Sequence, residues 1–407
     1  MTSSPFSVTD PADRPVIRMK PKMDTRRIRF GAPWVWANEL VLDRRSKNLA
    51  PGTIATLQDN ERTPLGTVAV NTGSKIVARM LDRDSEVTID AQWFNNRVQR
   101  AVKMRENIYD APFYRLIHAE ADGFPGVIAD RFGDTIVVQP NAAWAEMHFD
   151  LLKDALAGID GVKNIVKNAA GRARATEGLD DVSGVVLGEV SGLIPVVMNG
   201  ATYMADLLGG QKTGLFFDQR ESHAFGARMS KGATVLDVFS HVGGFGLAAL
   251  AGGATAATCV DGSAPALELA QKGAEAMGAG DRLTIRKGDA FDVMEEMVAD
   301  GVKFDVVICD PPAFAPSKPA VEKGLRAYER VARLAAQLVA PGGYLGLCSC
   351  SHSADATRFR EACDRGVGKA GRSSQLLHTG SAGPDHPQHP SLAESGYLKA
   401  MFWRLDG

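Results

Sequence analysis

The chain has 407 residues, 45% of them hydrophobic and 23% charged, with a formal net charge of −2 at pH 7. That composition can bury a full core and is long enough for two or three domains, which excludes a disordered or fibrous protein. No stretch approaches the roughly 20 consecutive apolar residues of a membrane span, and the leading MTSSPFSVTDPADRP has neither a basic nor an apolar leader region, so a cytoplasmic location is expected.

Residues 1–13 are polar and rich in Pro and Ser, and read as a disordered tail. From residue 14 to 85 short apolar runs (TIATLQ, GTVAV, KIVARML) alternate with turn formers such as Pro51-Gly52, Asp59-Asn60 and Thr72-Gly73, which predicts a small all-β domain. Between Arg14 and Lys47 ten basic residues stand against three acidic ones, a local charge of +7 on a near-neutral protein. Trp34 and Trp36 lie among these cations, and aromatic rings interleaved with Lys and Arg suit stacking on unpaired bases. Lys20, Lys22, Arg26, Arg27, Arg29, Trp34 and Trp36 are therefore candidate RNA-binding residues, and a solvated basic surface with core tryptophans is the alternative that the pattern leaves equally open.

Residues 91–195 form the second predicted domain. Trp93, Phe94, Val98 and Val102 recur at helical spacing from Ala91 onward, and YRLIHAEADGFPGVIADRFGDTIVVQP then alternates strand-like runs with the turn signals Asp122-Gly123, Pro125-Gly126 and Gly133-Asp134. A helix-like LLKDALAGI and a strand-like NIVKN complete a small α+β unit.

From residue 200 to 407 the pattern becomes a regular β-α alternation. The predicted strands are TVLDVFS, ATCVDGS, LTIRKGDA, FDVVICDPP and GYLGLCSCS, and PALELAQKGAEAMG is a predicted helix with Ser263 as N-cap. Continuous apolar strands between amphipathic helices indicate an α/β, doubly wound, mostly parallel sheet, in which ligands bind at the C-terminal ends of the strands. The residues at those ends carry the chemistry. Asp237 closes the first strand before Gly243-Gly244-Phe245-Gly246, a turn that would let a ligand lie against the backbone. Asp261 follows the second strand and suits a ribose diol, and Asp289-Ala290 follow the third and suit an adenine amine. Each acid could equally be a helix cap, and the glycine pattern alone serves NAD enzymes as well.

The fourth strand separates these options, because it ends in Asp310-Pro311-Pro312. A double proline holds a rigid turn without backbone donors, of the kind with which base methyltransferases grip a flipped base by its polar edge. The fifth strand ends in Cys348-Ser349-Cys350-Ser351. Carbon 5 of cytosine is a poor nucleophile, so its methylation calls for a thiolate that adds to carbon 6, and Cys350 is the candidate, with Asp310 supporting the adduct. Cys348 shares its sheet face, so spacing leaves open which thiol reaches the base. The five cysteines read as reduced thiols; their spacing fits neither a disulfide framework nor a zinc site, and no metal is expected, the late His386 and His389 reading as a shaped loop. The dense polar segment GGQKTGLFFDQR, with Gln211, Lys212, Thr213 and Arg220, points to cofactor or substrate contacts.

In order along the chain, YRLIHAEADGFPGVIADRFGD, GQKTGLFFDQR, LDVFSHVGGFG, FDVVICDPPAFAPSK, PGGYLGLCSCS and PDHPQHP…YLK resemble the large-subunit (23S) ribosomal RNA cytosine-5 methyltransferases. The resemblance implies a PUA-like RNA-binding domain, a central α+β domain and a class I Rossmann-like domain that uses S-adenosylmethionine. It also implies that Cys350 is the nucleophile, and that Asp237, Phe239, Gly243, Gly244, Asp261, Ser263, Asp289, Ala290, Asp310, Gln211, Thr213 and Arg220 line the cofactor and base pocket. The implied partner is large-subunit ribosomal RNA, with no membrane, and a homodimer is admitted. Two departures stand out. Ala313 occupies the place where related two-cysteine enzymes carry a second thiol, and Gly273 and Met277 replace asparagines of the family's AxxNAxxNG pattern. The alternatives are transfer to an exocyclic amine, whose enzymes put an aromatic directly after the prolines where this chain has Ala313 before Phe314; an RNA-binding ribosome-assembly factor without catalysis; and, more distantly, an NAD-dependent oxidoreductase.

Overall fold

In a computed structural model, residues 10–209 and 214–406 are described, apart from the side chain of Arg172. They fall into two compact units, one built from residues up to Gly192 with Leu207–Gly214 and Pro387–Leu392, the other from Leu193–Asp206, Leu215–His386 and Ala393 onward.

The first unit opens with a short turn at Pro11–Asp13, capped by Asp10, so the C-terminal end of the predicted tail is ordered; residues 1–9 lie outside the described residues. A six-stranded sheet follows, made of β1 (Val16–Met19), β2 (Trp34–Trp36), β3 (Leu40–Val41), β4 (Thr53–Gln58), β5 (Pro64–Val70) and β6 (Ile76–Asp82), in the order β2-β6-β5-β4-β1-β3. Ile17, Val35, Leu57, Val68 and Val77 fill its core. A second, five-stranded sheet has the order β11-β10-β9-β8-β7, from β7 (Phe113–His118), β8 (Val127–Phe132), β9 (Thr135–Pro140), β10 (Asn164–Lys167) and β11 (Gly184–Leu187). The helix Ala91–Glu106 packs Trp93, Phe94, Val98 and Val102 against it, and starts where the Asp90 carboxylate accepts the Trp93 N–H at 2.9 Å. Ile54, Ala69 and Leu81 of the first sheet belong to this same core, so the β domain and the α+β segment share one hydrophobic interior.

That junction also carries a buried ionic cluster. Arg79 on β6 bridges Glu120 at 3.2 Å and Glu177 at 2.9 Å, while Trp34 Nε1 donates to Glu120 at 2.8 Å and Asn71 Nδ2 to Glu177 at 3.0 Å. Burial opposes ionisation of Glu177, but Arg79 and the Asn71 donor outweigh it and hold the carboxyl below its ordinary range.

The second unit contains a hairpin, β12 (Ile194–Met198) with β13 (Ala201–Ala205), and a seven-stranded sheet. Its strands are β14 (Thr234–Val238), β15 (Ala256–Asp261), β16 (Leu283–Lys287), β17 (Phe304–Cys309), β18 (Val339–Ser349), β19 (Ser373–Gly380) and β20 (Lys399–Asp406), in the order β16-β15-β14-β17-β18-β20-β19. The first five run parallel, as the continuous apolar runs predict, and β20 enters antiparallel between β18 and β19. The strand order reverses between β14 and β17, which makes their C-terminal ends the place where such sheets bind ligands. One half of the sheet is covered by the helices Val321–Leu338 and Ala356–Lys369, whose Tyr328, Val331, Ala335, Phe359 and Val367 pack onto Leu345, Leu347 and Trp403.

Candidate active site

The acid at the end of β14 faces inward. Asp237 is fully buried and its carboxylate accepts the N–H groups of Phe245 at 3.1 Å and Gly246 at 2.8 Å, the first turn of the helix Gly244–Ala251. Burial pushes its pKa up to about 8 against the pull of the Gly246 N–H, and the nearby carboxylates of Asp310 and Asp261 push the same way. Asp237 therefore anchors the glycine turn from beneath. Within that turn Phe239, His241 and Gly243 all have positive φ (62°, 50° and 81°), a strained stretch that the surrounding contacts must enforce.

Gly244 and Gly246 are required by the protein's own packing. A Cβ on Gly244 would sit 2.7 Å from His223 Nε2, and one on Gly246 would sit 2.5 Å from Cys259 Sγ. They let the turn close onto the protein's own interior. His223 is buried between Tyr203, whose ring is near-parallel at 6.1 Å, and the edge-on ring of Phe245 at 4.6 Å, and Tyr203 donates its hydroxyl to Gly244 O at 3.1 Å. Burial pushes His223 down to about 3, so it stays neutral.

The next strand ends use their polar groups as ties and caps. The Asp261 carboxylate accepts His241 N and Ser263 N, both at 2.8 Å. Ser263 caps the helix Ala264–Ala276, as its spacing predicts, and Asp289 caps the helix Ala290–Ala299 by accepting Phe291 N at 2.9 Å. Arg220 begins the helix Arg220–Met229, mostly buried, with its guanidinium 5.7 Å from the Phe217 ring centre. Neighbouring Asp218 accepts the Tyr397 hydroxyl at 2.6 Å, and the buried Gln219 amide sits beside the Cys348 thiol. Gln211, Lys212 and Thr213 lie outside the described residues.

The thiols divide cleanly. Cys259, Cys309, Cys348 and Cys363 are buried, whereas Cys350, just past the end of β18, is partly exposed. Burial drives the Cys348 thiol well above its ordinary range, and the Asp310 carboxylate close by adds to the rise, so of the two cysteines on this strand end Cys350 is the accessible one.

A polar frame missing from the sequence reading holds this turn. The Tyr328 hydroxyl meets Ser349 Oγ and Ser351 Oγ, each at 2.8 Å, and Ser351 Oγ accepts Ala315 N at 3.0 Å. Those bonds tie the loop after Asp310-Pro311-Pro312 to the Cys350 turn. Asp310 N donates to Val238 O at 3.1 Å, which fixes the same loop to β14. Lys399 closes the frame, donating to Ser351 O at 2.6 Å and Ala354 O at 2.8 Å; burial pushes it down to about 8, with Cys350 and then Asp355 pulling it back up. Phe314 turns toward this frame, its ring 5.0 Å from Tyr328 and 6.2 Å from Phe291. Tyr328 is hidden in the sequence because it sits on the apolar stripe of its helix; Lys399 sits in the YLK segment, where its spacing to a serine-cysteine turn gives no signal. His386 pairs through Nδ1 with the buried Asp385 at 2.9 Å.

In the first unit the candidate RNA residues are unequal. Lys20, Lys22, Arg26 and Arg29 are exposed, with Arg26 beside Asp24 and Arg29 beside Asp59. Arg27 is committed to Glu39 and to Trp34 O, and Trp34 to Glu120, while Arg14 is buried against Thr67, Ser85 and Val87 and leaves the surface patch. Trp36 is outward-facing and Phe30, absent from the sequence reading, is 80% exposed.

Residues 170–404 match the family model for S-adenosylmethionine-dependent methyltransferases, and residues 17–83 match that for a PUA-like domain. The chain belongs to the S-adenosylmethionine-dependent methyltransferase family. The relatives of this methyltransferase include the ribosomal RNA large subunit methyltransferase I of Aeromonas hydrophila subsp. hydrophila, 34% identical over 91% of this chain and 95% of that protein. That of Shewanella denitrificans is 33% identical over 96% and 99%. Among solved structures, a SAM-dependent methyltransferase from Streptococcus mutans superposes with a TM-score of 0.79 at 20% identity, covering 96% of this chain and 100% of that one. A methyltransferase complexed with SAH superposes with a TM-score of 0.80 at 21% identity, over 96% and 99%, a likeness of fold.

S-adenosylmethionine is the methyltransferase's cofactor, and the switch point fits it. Asp237 Oδ1 and His223 Nδ1 are buried against the glycine turn without a nitrogen or oxygen partner among the described residues, which suits a polar, charged ligand there. Asp261 and Asp289 each keep acceptor capacity beyond the N–H groups they already bind.

Proposed function

We propose that this methyltransferase forms 5-methylcytosine in large-subunit ribosomal RNA, in the cytoplasm, through a covalent Cys350 adduct. The carrying observation is that Cys350 alone among the five cysteines reaches solvent, at the end of the strand beside the Asp310-Pro311-Pro312 turn. The names of the relatives supply the ribosomal RNA substrate, and the basic, aromatic-bearing β domain is suited to holding it.

In this reading the cofactor supplies a methyl group on a sulfonium, an electrophile that only a carbon made electron-rich can attack. Cys350 makes it so: its thiolate bonds to carbon 6 of the ring, and the displaced electron pair becomes available at carbon 5. Asp310, as the carboxylic acid, donates its proton to N3 and so neutralises the negative charge that addition of the thiolate places on the ring, taking the proton back when the adduct collapses. After transfer, the proton on carbon 5 leaves to a base, the sulfur–carbon 6 bond breaks, and Cys350 returns as thiolate. Ala313 cannot act as a second thiol, so that base is an oxygen or nitrogen group. Asp237, Asp261 and Asp289 are the proposed cofactor-side acids, Asp237 acting through the glycine turn that it anchors.

Cys350→Ala is expected to bind S-adenosylmethionine with unchanged affinity and to transfer no methyl groups, and RNA carrying 5-fluorocytosine is expected to trap the unmodified enzyme as a covalent complex. Methylation by the Ala variant would move the reading to an exocyclic amine. The inward packing of Phe314 speaks against that outcome, because an amine-directed site stacks its base on an exposed ring at this turn. Absence of cofactor binding in the wild type would leave a non-catalytic assembly factor.

A further inference from the structure

We infer that Lys399 is the counter-ion of the Cys350 thiolate, a positioning residue that keeps the nucleophile charged and its turn in place. The inference rests on the proposed role of Cys350 and deepens it.

Three observations carry it. β20 pairs antiparallel with β18 so that Lys399 lies directly across from Ser349, one residue before the cysteine. Its side chain then folds over the turn that follows: the ammonium donates to Ser351 O and Ala354 O, on the far side of Cys350 in sequence. Finally, only 7% of Lys399 is exposed, yet it forms no ion pair with a carboxylate among the described residues.

A buried ammonium facing only neutral carbonyls is costly, because each carbonyl replaces one water but no opposite charge balances the cation. If capping two carbonyls were all that was required, a neutral donor would serve at lower cost. The charged and titratable groups around it are few. Asp355, at the N-cap of the helix Ala356–Lys369, is exposed and accepts Arg358 N at 2.9 Å. Tyr328, from the helix Val321–Leu338, is a buried phenol held by two serines and pushed up by burial. His352 is exposed beside Ser353, and Asp310 lies next to Cys348 at the neighbouring strand end. Cys350 stands in sequence between the two residues that Lys399 meets, Ser349 across the ladder and Ser351 through its carbonyl, its thiolate acts on the ammonium through space, and an ammonium near a thiol favours the thiolate.

The test is alkylation of the full-length protein by iodoacetamide across pH 6 to 9.5, with modification of Cys350 read by peptide mass spectrometry. The other four cysteines are buried, so the fast phase reports on this one. In the wild type the midpoint is expected to lie below that of the same cysteine in urea. In Lys399→Met it is expected to rise by about one pH unit, with alkylation at pH 7 slowed about tenfold, and in Lys399→Arg to return most of the way. Methyl transfer should follow the same order in kcat, with KM for S-adenosylmethionine unchanged. A Lys399→Met profile superimposable on that of the wild type overturns the inference and leaves a structural cap. Should Lys399→Met not fold, the wild-type comparison still decides: a midpoint equal to or above the urea value refutes the pairing. Cys350→Ala retaining activity would instead refute the proposed reaction, with the alkylation result standing by itself.

Discussion

The side chains at the strand ends show how one carboxylate chemistry serves different tasks. Asp237 looks in the sequence like Asp261 and Asp289, and like Asp289 it binds two helix N–H groups, but it alone of the three is sealed in the interior. Asp237→Ala would strand both donors and is expected to cost about 1–3 kcal/mol in urea unfolding and to weaken S-adenosylmethionine binding in titration calorimetry, whereas Asp237→Asn keeps an acceptor and should retain most of both. Such a division is illegible in sequence, because an acid after a parallel strand followed by glycine is the same string whether it points up at a ligand or down at a helix. His223 gives a pH signature. Its pKa of about 3 in the fold lies below its unfolded value, so the unfolded chain takes up a proton first as pH falls below about 6.5, and stability is lost from there downward. Between pH 7 and pH 5 the wild type is expected to lose ~2 kcal/mol more than His223→Leu, measured as the shift in urea midpoint.

At the level of elements, β14, β17 and β18 were legible because their mostly buried residues form continuous apolar runs, whereas the largely exposed edge strand β16 was legible from its place in the β-α alternation, and each predicted run contains its observed strand or most of it. β19 was not: its residues are largely exposed along a sheet edge, leaving no hydrophobic run to read. β20, apolar as KAMFWRLD, follows a proline-rich loop that masks its onset, and the helix Ala356–Lys369 carries charges on most of its visible positions. The hairpin β12–β13, which straddles the predicted limits at residues 195 and 200, belongs to the second compact unit. Trp34 shows the limit of pattern reading within the first unit. A tryptophan among cations suggests a stacking surface, yet its indole N–H is spent on Glu120 beside Arg79. Arg79→Ala leaves Glu120 and Glu177 without their shared cation in a nearly dry setting. It is expected to destabilise by about 3–5 kcal/mol, seen as a lowered urea midpoint, and more than Arg26→Ala, whose ion pair with Asp24 is open to water.

For the whole molecule, the near-neutral net charge conceals a separation of duties: a basic, aromatic β domain and a sheet whose switch point is lined with acids. Lys20, Lys22 and Arg26 are exposed on the former, so their triple replacement by Ala is expected to flatten the plot of log affinity for RNA against log salt by ~2 and to leave cofactor affinity unchanged. Phe30→Ala and Trp36→Ala should weaken binding without altering that slope, since stacking releases no counter-ions. The interleaved order of the large sheet has a consequence for biosynthesis. Because β20 wedges between two strands made before it, β18 and β19 have no direct partner in each other while the nascent polypeptide is still short of Lys399. A truncated or stalled product would therefore present raw sheet margins, prone to clumping, until the last strand is made.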